Sequence, residues 1–367
     1  MNRCTYFNVK TQFENAGDAL IIGELLRLAE AHSNLCLNYA TTPDGFREMV
    51  NSRLLRPKES KQFLNNFSFF ASMVHSRLLG KEVHFFLVPG GLNGERSRSQ
   101  YFKALFAIII LVFWRAIGVK VHQVGISLER IGDRHGKSLA LRSRVLNTCA
   151  VRDSMSLEYA KKLGIRVTSL IPDLAFSIFD GREIVGDQNR KALCFSFRVD
   201  KNGMDREKLL EFCIEIINLN TDGILYFVSQ VRRDSEFMKT LANTIFERTG
   251  REFIFCDVHE DISHAIDVYS KCKEVHSNRL HVLLLALTAG AVPFSWDTDL
   301  DPKIQGILND IGMDFLSLKM SITRYQSAAN DNLNNFQFEG ARYYEMLAHS
   351  FSRIYGDIEG SSRTTLP

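Results

Sequence analysis

Cys272-Lys273-Glu274-Val275-His276 is a short β-like run. It passes through Ser277-Asn278-Arg279-Leu280-His281 into an apolar helical run, 282–289, and a second β-like run follows at 291–295. β, helix and β in close succession is the rhythm of a parallel α/β sheet. The junction also puts a cation, Arg279, and a titratable imidazole, His281, where a strand ends and a helix begins. The first turn of such a helix offers backbone N–H groups and the positive end of a dipole. That combination suits an anionic group such as phosphate or carboxylate. Either Ser277 or Asn278 can cap the helix.

The same rhythm runs through the rest of the chain. Candidate strands lie at 3–9, 35–40, 83–88, 119–125, 148–151, 167–171, 192–197, 223–229 and 252–256, besides the two above. Helical patterns separate them at 19–31, 60–79, 99–116, 155–163, 206–219, 234–248 and 262–271. The strands are apolar on both faces, as buried parallel strands must be. The expected fold class is therefore α/β, with two doubly wound Rossmann-like domains facing a cleft. At 367 residues the chain suits two cores better than one. The polar stretch 180–191 interrupts the rhythm near the middle. It sets an N-terminal domain at 1–180 and a C-terminal domain at 190–340, followed by a helix at 341–358 and a disordered tail at 359–367.

Composition narrows the function classes. Hydrophobic residues make up 45% and charged residues 24%, ordinary for a globular protein, and the formal net charge is only +3. No dense Lys/Arg block with interleaved aromatics is present, so nucleic acid is not an expected partner. Seven scattered Cys without a CxxC pair read as reduced thiols in a cytoplasmic protein. No HExxH or CxxC pattern calls for a metal, and no cofactor is expected. The first 18 residues lack the apolar core of a signal peptide. The most membrane-like run, 104–114 (ALFAIIILVFW), is too short to span a bilayer. It is expected as a buried helix; a face that touches the inner membrane is the other reading, if the substrate is carried on lipid.

Ligands of open α/β sheets bind beyond the carboxyl ends of the strands, so the loops there are the candidate sites. After the first strand comes Asn15-Ala16-Gly17-Asp18, where Gly17 permits a tight turn and Asp18 can cap a helix or bind a substrate hydroxyl. Pro89-Gly90-Gly91 follows the strand at 83–88 and lacks the spacing of a dinucleotide fingerprint. Arg152 and Asp153 sit at another strand end and can brace each other or meet a ligand. Ser196-Phe197-Arg198 ends a further apolar strand with a planar five-donor fork suited to carboxylate or phosphate.

Taken in order, these segments resemble the polysaccharide pyruvyl transferase family. The matching pieces are Asn15-x-Gly17-Asp18, Gly90-Gly91, His122-Gln123-Val124-Gly125, Arg152-Asp153-x-x-Ser156, Pro172-Asp173-x-Ala175-Phe176, Ser196-Phe197-Arg198 and Arg279-Leu280-His281, then Lys303 and Gly306. The glycine loop departs from the family by reading Gly-Gly-Leu, and Gly125 is followed by Ile126 where Pro is often seen. The resemblance implies a GT-B-like fold. It also implies transfer of an enolpyruvyl unit from phosphoenolpyruvate to two hydroxyls of a sugar, in exopolysaccharide or cell-surface glycan synthesis. The acceptor would be a glycan or a lipid-linked saccharide. In that family Arg198, Arg279 and Leu280 would bind the donor and His281 would be the acid/base. Asn15, Asp18, Gly90 and Gly91 would lie on the acceptor side.

The chemistry suits the residue types. Phosphoenolpyruvate carries a carboxylate and a phosphate, which two arginines and a helix N-terminus can hold. An imidazole can deliver one proton and later accept another near neutral pH. A nucleotide-sugar glycosyltransferase on the same fold is the alternative, and a chain that kept the fold but not the activity is a third reading.

Overall fold

The structure is a computed structural model and describes residues 2–187, 189–198, 205–296, 301–332 and 336–357. The expected tail, 359–367, lies outside the described residues. The chain divides into two compact units. One comprises Met1–Phe13, Asp18–Ser177 and Glu345–Pro367; the other comprises Glu14–Gly17 and Ile178–Tyr344.

The strands of the first unit are β1 (Arg3–Asn8), β2 (Asn34–Asn38), β3 (Lys61–Phe63), β4 (Glu82–Leu87), β5 (Gly90–Gly94), β6 (Lys120–Ile131), β7 (Thr148–Val151) and β8 (Ser169–Leu170). They form a parallel sheet in the order β3-β2-β1-β4-β6-β7-β8, with β5 paired to β6. The connecting helices are α1 (Ala16–Glu30), α2 (Asp44–Asn51), α3 (Asn66–Leu78), α4 (Arg98–Ala116), α5 (Asp133–Val145) and α6 (Ser154–Lys162). One core is built from Phe69 and Met73 of α3, Leu111 and Trp114 of α4, Leu139 of α5 and Ala160 of α6.

In the second unit β9 (Ile184–Val185) precedes β10 (Ala192–Ser196), β11 (Leu225–Ser229), β12 (Phe253–Asp257), β13 (Cys272–Ser277) and β14 (Val292–Ser295). β10 to β14 form a parallel sheet in the order β12-β11-β10-β13-β14, and β9 pairs antiparallel with β15 (Gln337–Phe338). Its helices are α7 (Arg206–Leu219), α8 (Ser235–Thr249), α9 (Ile262–Ser270), α10 (Leu280–Thr288), α11 (Pro302–Asp310) and α12 (Ile322–Asn332). α10 is buried from Val282 to Leu287, because Leu and Ala supply helix propensity and apolar surface together. On β13 the His276 ring stacks between Phe195 and Phe294 and accepts the Trp296 indole N–H at 2.8 Å. The last helix, α13 (Gly340–Tyr355), is counted largely with the first unit, where Phe351 stacks on Phe86 of β4. The Tyr355 hydroxyl there meets Thr5 Oγ at 2.5 Å.

Several sequence expectations need correction. The run 104–114 is not a buried helix. α4 buries Leu111 and Trp114, while Phe102, Phe106, Ile109, Val112 and Phe113 face solvent. A crossover helix has one face against its sheet, and here both faces are apolar. The helical pattern expected at 60–79 begins only at Asn66; Lys61–Phe63 are strand β3, and Asn65 caps α3 by accepting from the Phe67 N–H at 2.7 Å. Gly90–Gly94, expected as a loop after the strand, pair with β6 as β5. Gly90 holds φ 120°, which L side chains rarely adopt.

Candidate functional site

Doubly wound sheets bind ligands where the strand order reverses. In the second unit that point lies between β10 and β13. Both strands end there on the predicted donor residues. β10 runs out through Phe197 to Arg198, and β13 through Ser277 to Asn278 and Arg279.

A polar clamp joins the two strand ends. The Asn278 side-chain oxygen accepts the Arg198 N–H at 2.8 Å, and its amide donates to the Arg198 carbonyl at 3.0 Å. The Ser277 hydroxyl donates to the Ser196 carbonyl at 2.5 Å and accepts the Arg279 N–H at 2.9 Å. Neither Ser277 nor Asn278 is the helix cap expected from the sequence. Arg279 itself occupies the N-cap position with extended φ/ψ, and α10 begins at Leu280. The two polar side chains cross-link neighbouring strands instead, and so fix where both arginines leave the sheet.

Arg279 is buried, at 9% exposure, and its guanidinium forms an ion pair with the buried Asp234 carboxylate. Asp234 stands at the start of α8 without capping it. A carboxylate at that place neutralises a buried charge and fixes the plane of a fork that has five donors. The role of Asp234 was not legible in the sequence, where it reads as the first residue of a helix 45 positions away from its partner. Arg198 is half-buried at the end of β10, and Leu280 and His281 form the first turn of α10, with both side chains half-buried.

The loop after β1 contributes to this same unit. Glu14–Gly17 group with it through an Asn15–Val231 bridge, the Ala16 N–H to the Gln230 carbonyl at 3.4 Å, and the Arg232 N–H to the Glu14 carbonyl at 3.2 Å. Asn15, expected on the acceptor side, thus belongs to the unit that carries the donor candidates. Its side chain accepts the Gly17 N–H at 3.0 Å and opens α1. Gly17 packs directly on His281: a Cβ there would stand 2.8 Å from His281 Cβ and 2.9 Å from Cγ. Gly17 is therefore not a turn residue; it is helical, and what it permits is close approach to the imidazole. Asp18 is not the cap either, since α1 starts two residues earlier; it accepts the Thr11 hydroxyl at 2.6 Å within the first unit.

In the first unit the strand order reverses between β1 and β4, and Asp18 at the start of α1 and Gly90-Gly91 at the start of β5 follow these two strands in the chain. Arg152 and Asp153 brace the fold. Arg152 pairs with the buried Asp173 at 2.7 Å and donates to Ser127 at 2.6 Å. Asp153 caps α6 by accepting the Ser156 N–H at 2.6 Å. His122 is spent in the core, its Nε2 3.0 Å from His84 Nδ1.

Solved structures with this fold include the UDP-GlcNAc 2-epimerase of Methanocaldococcus jannaschii, at TM-score 0.53 and 11% identity, with 95% of this chain and 100% of that one covered. UDP-GlcNAc 2-epimerase from Neisseria meningitidis bound to UDP-GlcNAc gives TM-score 0.51 and 12% identity, covering 97% and 96%. Anabaena Alr3699/HepE in complex with UDP gives 0.52 and 10%, covering 96% and 95%. At such identities the likeness is one of fold: two Rossmann-like α/β domains, GT-B-like, as the sequence led us to expect. A comparison with curated proteins found no match. The family model of polysaccharide pyruvyl transferase matches residues 15–295, a span running from Asn15 through the β10–β13 clamp to the end of β14. The chain belongs to the polysaccharide pyruvyl transferase family.

Proposed function

We propose that this protein transfers the enolpyruvyl group of phosphoenolpyruvate to two hydroxyls of a glycan, forming a cyclic ketal and free phosphate. The observation that carries the reading is the clamp at the β10–β13 switch point. It holds Arg198, Arg279 and the first turn of α10 at one strand edge, beside His281. Two guanidinium groups and helix N–H groups match the two anionic ends of the donor. Arg279 meets it with its guanidinium, held in place by the Asp234 ion pair, and Leu280 contributes its backbone N–H.

The reaction balances with one acid/base group. A proton from the His281 imidazolium goes to the methylene carbon of the donor, which becomes a methyl group next to an oxocarbenium centre. The first sugar hydroxyl attacks that centre and loses its proton to the imidazole. The C–O bond to phosphate then breaks, the phosphate leaves with the bonding pair, and the second hydroxyl closes the ring and loses its proton. The first hydroxyl's proton restores the imidazolium, and the second goes to the released phosphate, so the protons balance. Asp18, Gly90 and Gly91 are the proposed acceptor contacts, and Asn15 holds the N–H of Gly17, which packs on His281. The reaction requires no further cofactor, and we place it in the cytoplasm, where phosphoenolpyruvate is available.

A second reading takes a nucleotide sugar as donor, because relatives of the same fold were solved with UDP or UDP-GlcNAc. A thermal-shift titration separates the two. A ligand that binds only the native state stabilises it by ~2.7 kcal/mol at a hundredfold excess over Kd. Stabilisation by phosphoenolpyruvate that is lost in Arg279→Ala supports pyruvyl transfer. Stabilisation by UDP sugars, with none by phosphoenolpyruvate, refutes it.

A further inference from the structure

α4 exposes a continuous apolar stripe. Phe102, Phe106, Ile109 and Phe113 fall at i, i+4, i+7 and i+11, on the side opposite the buried Leu111. They are 66%, 64%, 64% and 54% exposed. α3 lies beside α4: Phe70 stacks on Trp114 and Arg77 donates to the Ile117 carbonyl at 3.1 Å. Its Phe67 and Leu78 are exposed too. α5 runs along the other side, tied at one end by Arg134 to the Arg96 carbonyl and at the other by Arg115 to the Val145 carbonyl. Soluble monomers rarely expose apolar patches of this extent without a partner.

Charge identifies the partner. α3, α4 and α5 together hold eight Lys/Arg and one acidic residue, Asp133, a formal +7 in a chain whose total is +3. An apolar stripe fringed by Lys103, Lys137 and Arg144 is the composition that lies in the headgroup region of an anionic bilayer. A second copy of this face would bring like charge against like charge. Spanning is excluded by the topology, since α4 joins β5 to β6 within one sheet and buries Leu111 and Trp114 in its core. We propose that the α3–α4–α5 layer docks the protein on an anionic lipid surface, with α4 lying in the plane of the membrane. The surface belongs to the first unit and does not depend on which donor the second unit binds.

Cosedimentation of the full chain with vesicles tests this. Binding to phosphatidylglycerol-containing vesicles is expected, with little binding to pure phosphatidylcholine and weakening at high salt. The exposed pair Phe106→Ser and Ile109→Ser should cost about tenfold or more in the partition coefficient. Lys103→Glu with Lys137→Glu should weaken binding without touching the stripe. Phe246→Ser, an exposed phenylalanine on α8 of the second unit, should leave it unchanged. Failure to bind anionic vesicles overturns the proposal. So does equal binding to neutral ones, or binding that the double variant retains. A concentration-dependent dimer lost in the double variant, without vesicle binding, would assign the face to a second copy and overturn it equally.

Discussion

Gly17→Ala perturbs the contact between the Glu14–Gly17 segment and His281, and its outcome follows from two opposed quantities. Gly17 is helical in α1, and Gly to Ala in a helix ordinarily stabilises by ~1 kcal/mol. The new Cβ, however, would lie 2.8 Å from His281 Cβ and 2.9 Å from Cγ. Carbon pairs prefer about 3.5–4.0 Å, so the overlap approaches ~1 Å. Rotating the imidazole does not relieve it, because His281 Cβ is attached to the backbone of α10. Overpacking of this kind costs ~1–3 kcal/mol, which leaves a net loss of up to ~2 kcal/mol after the propensity gain. With His281 in its proposed acid/base role the larger effect is on rate: such a group displaced by ~1 Å loses about 10² in turnover. Gly45→Ala in α2 is the control, since a Cβ there meets no atom within 4 Å. Thermal unfolding of both variants, with phosphate release from phosphoenolpyruvate and an acceptor glycan, measures the two quantities. Gly17→Ala that gains stability as Gly45→Ala does, with wild-type turnover, would refute the reasoning.

The remaining predictions concern single groups. His281→Gln should lower turnover by ~10²–10⁴ while leaving the thermal shift with phosphoenolpyruvate intact; near-normal turnover removes it as the acid/base. Asp173→Ala strands the buried Arg152 cation and should destabilise the fold by ~3–5 kcal/mol, read from urea midpoints, with donor binding unchanged in the folded fraction. Asp234→Ala should show both a stability loss and weaker donor binding, because it releases the Arg279 fork; a stability loss with normal donor affinity would deny Arg279 its role. Burial holds His84 near pKa about 4, against the attraction of Glu82, while an unfolded His titrates near 6.5. The unfolded state therefore binds more protons between those values. Stability should fall as pH drops from ~6.5 to ~4, by ~3 kcal/mol from this group, and level off below. His84→Gln should flatten that limb, and an unchanged slope would exclude His84 as its source.

Local pattern carried the architecture. The run 272–295 reads as strand, junction and helix because its apolar periodicity and β-branched content are local properties, and nearly every strand of the two parallel sheets was visible in the same way. The motif order, from Asn15 to His281, was legible too, since loop chemistry follows the chain. β3 and β5 were hidden because three polar-flanked residues and a glycine-rich pentamer have no strand propensity of their own; pairing to β2 and β6 makes them strands.

What only the tertiary structure decided are relations between residues far apart. Asn278 looks like a helix cap until its partner, Arg198, is seen 80 positions away. Gly17 looks like a turn residue until His281 is found against it. The apolar run of α4 looks like core, because sequence reports how apolar a helix is but not how much of it the sheet can cover. The sequence by itself determined the two α/β domains and the identity of the candidate residues, since these rest on periodicity and order along the chain. The clamp at the strand ends, the fixing of Arg279 by Asp234 and the open face of α4 came from packing, which joins residues without regard to their separation in sequence.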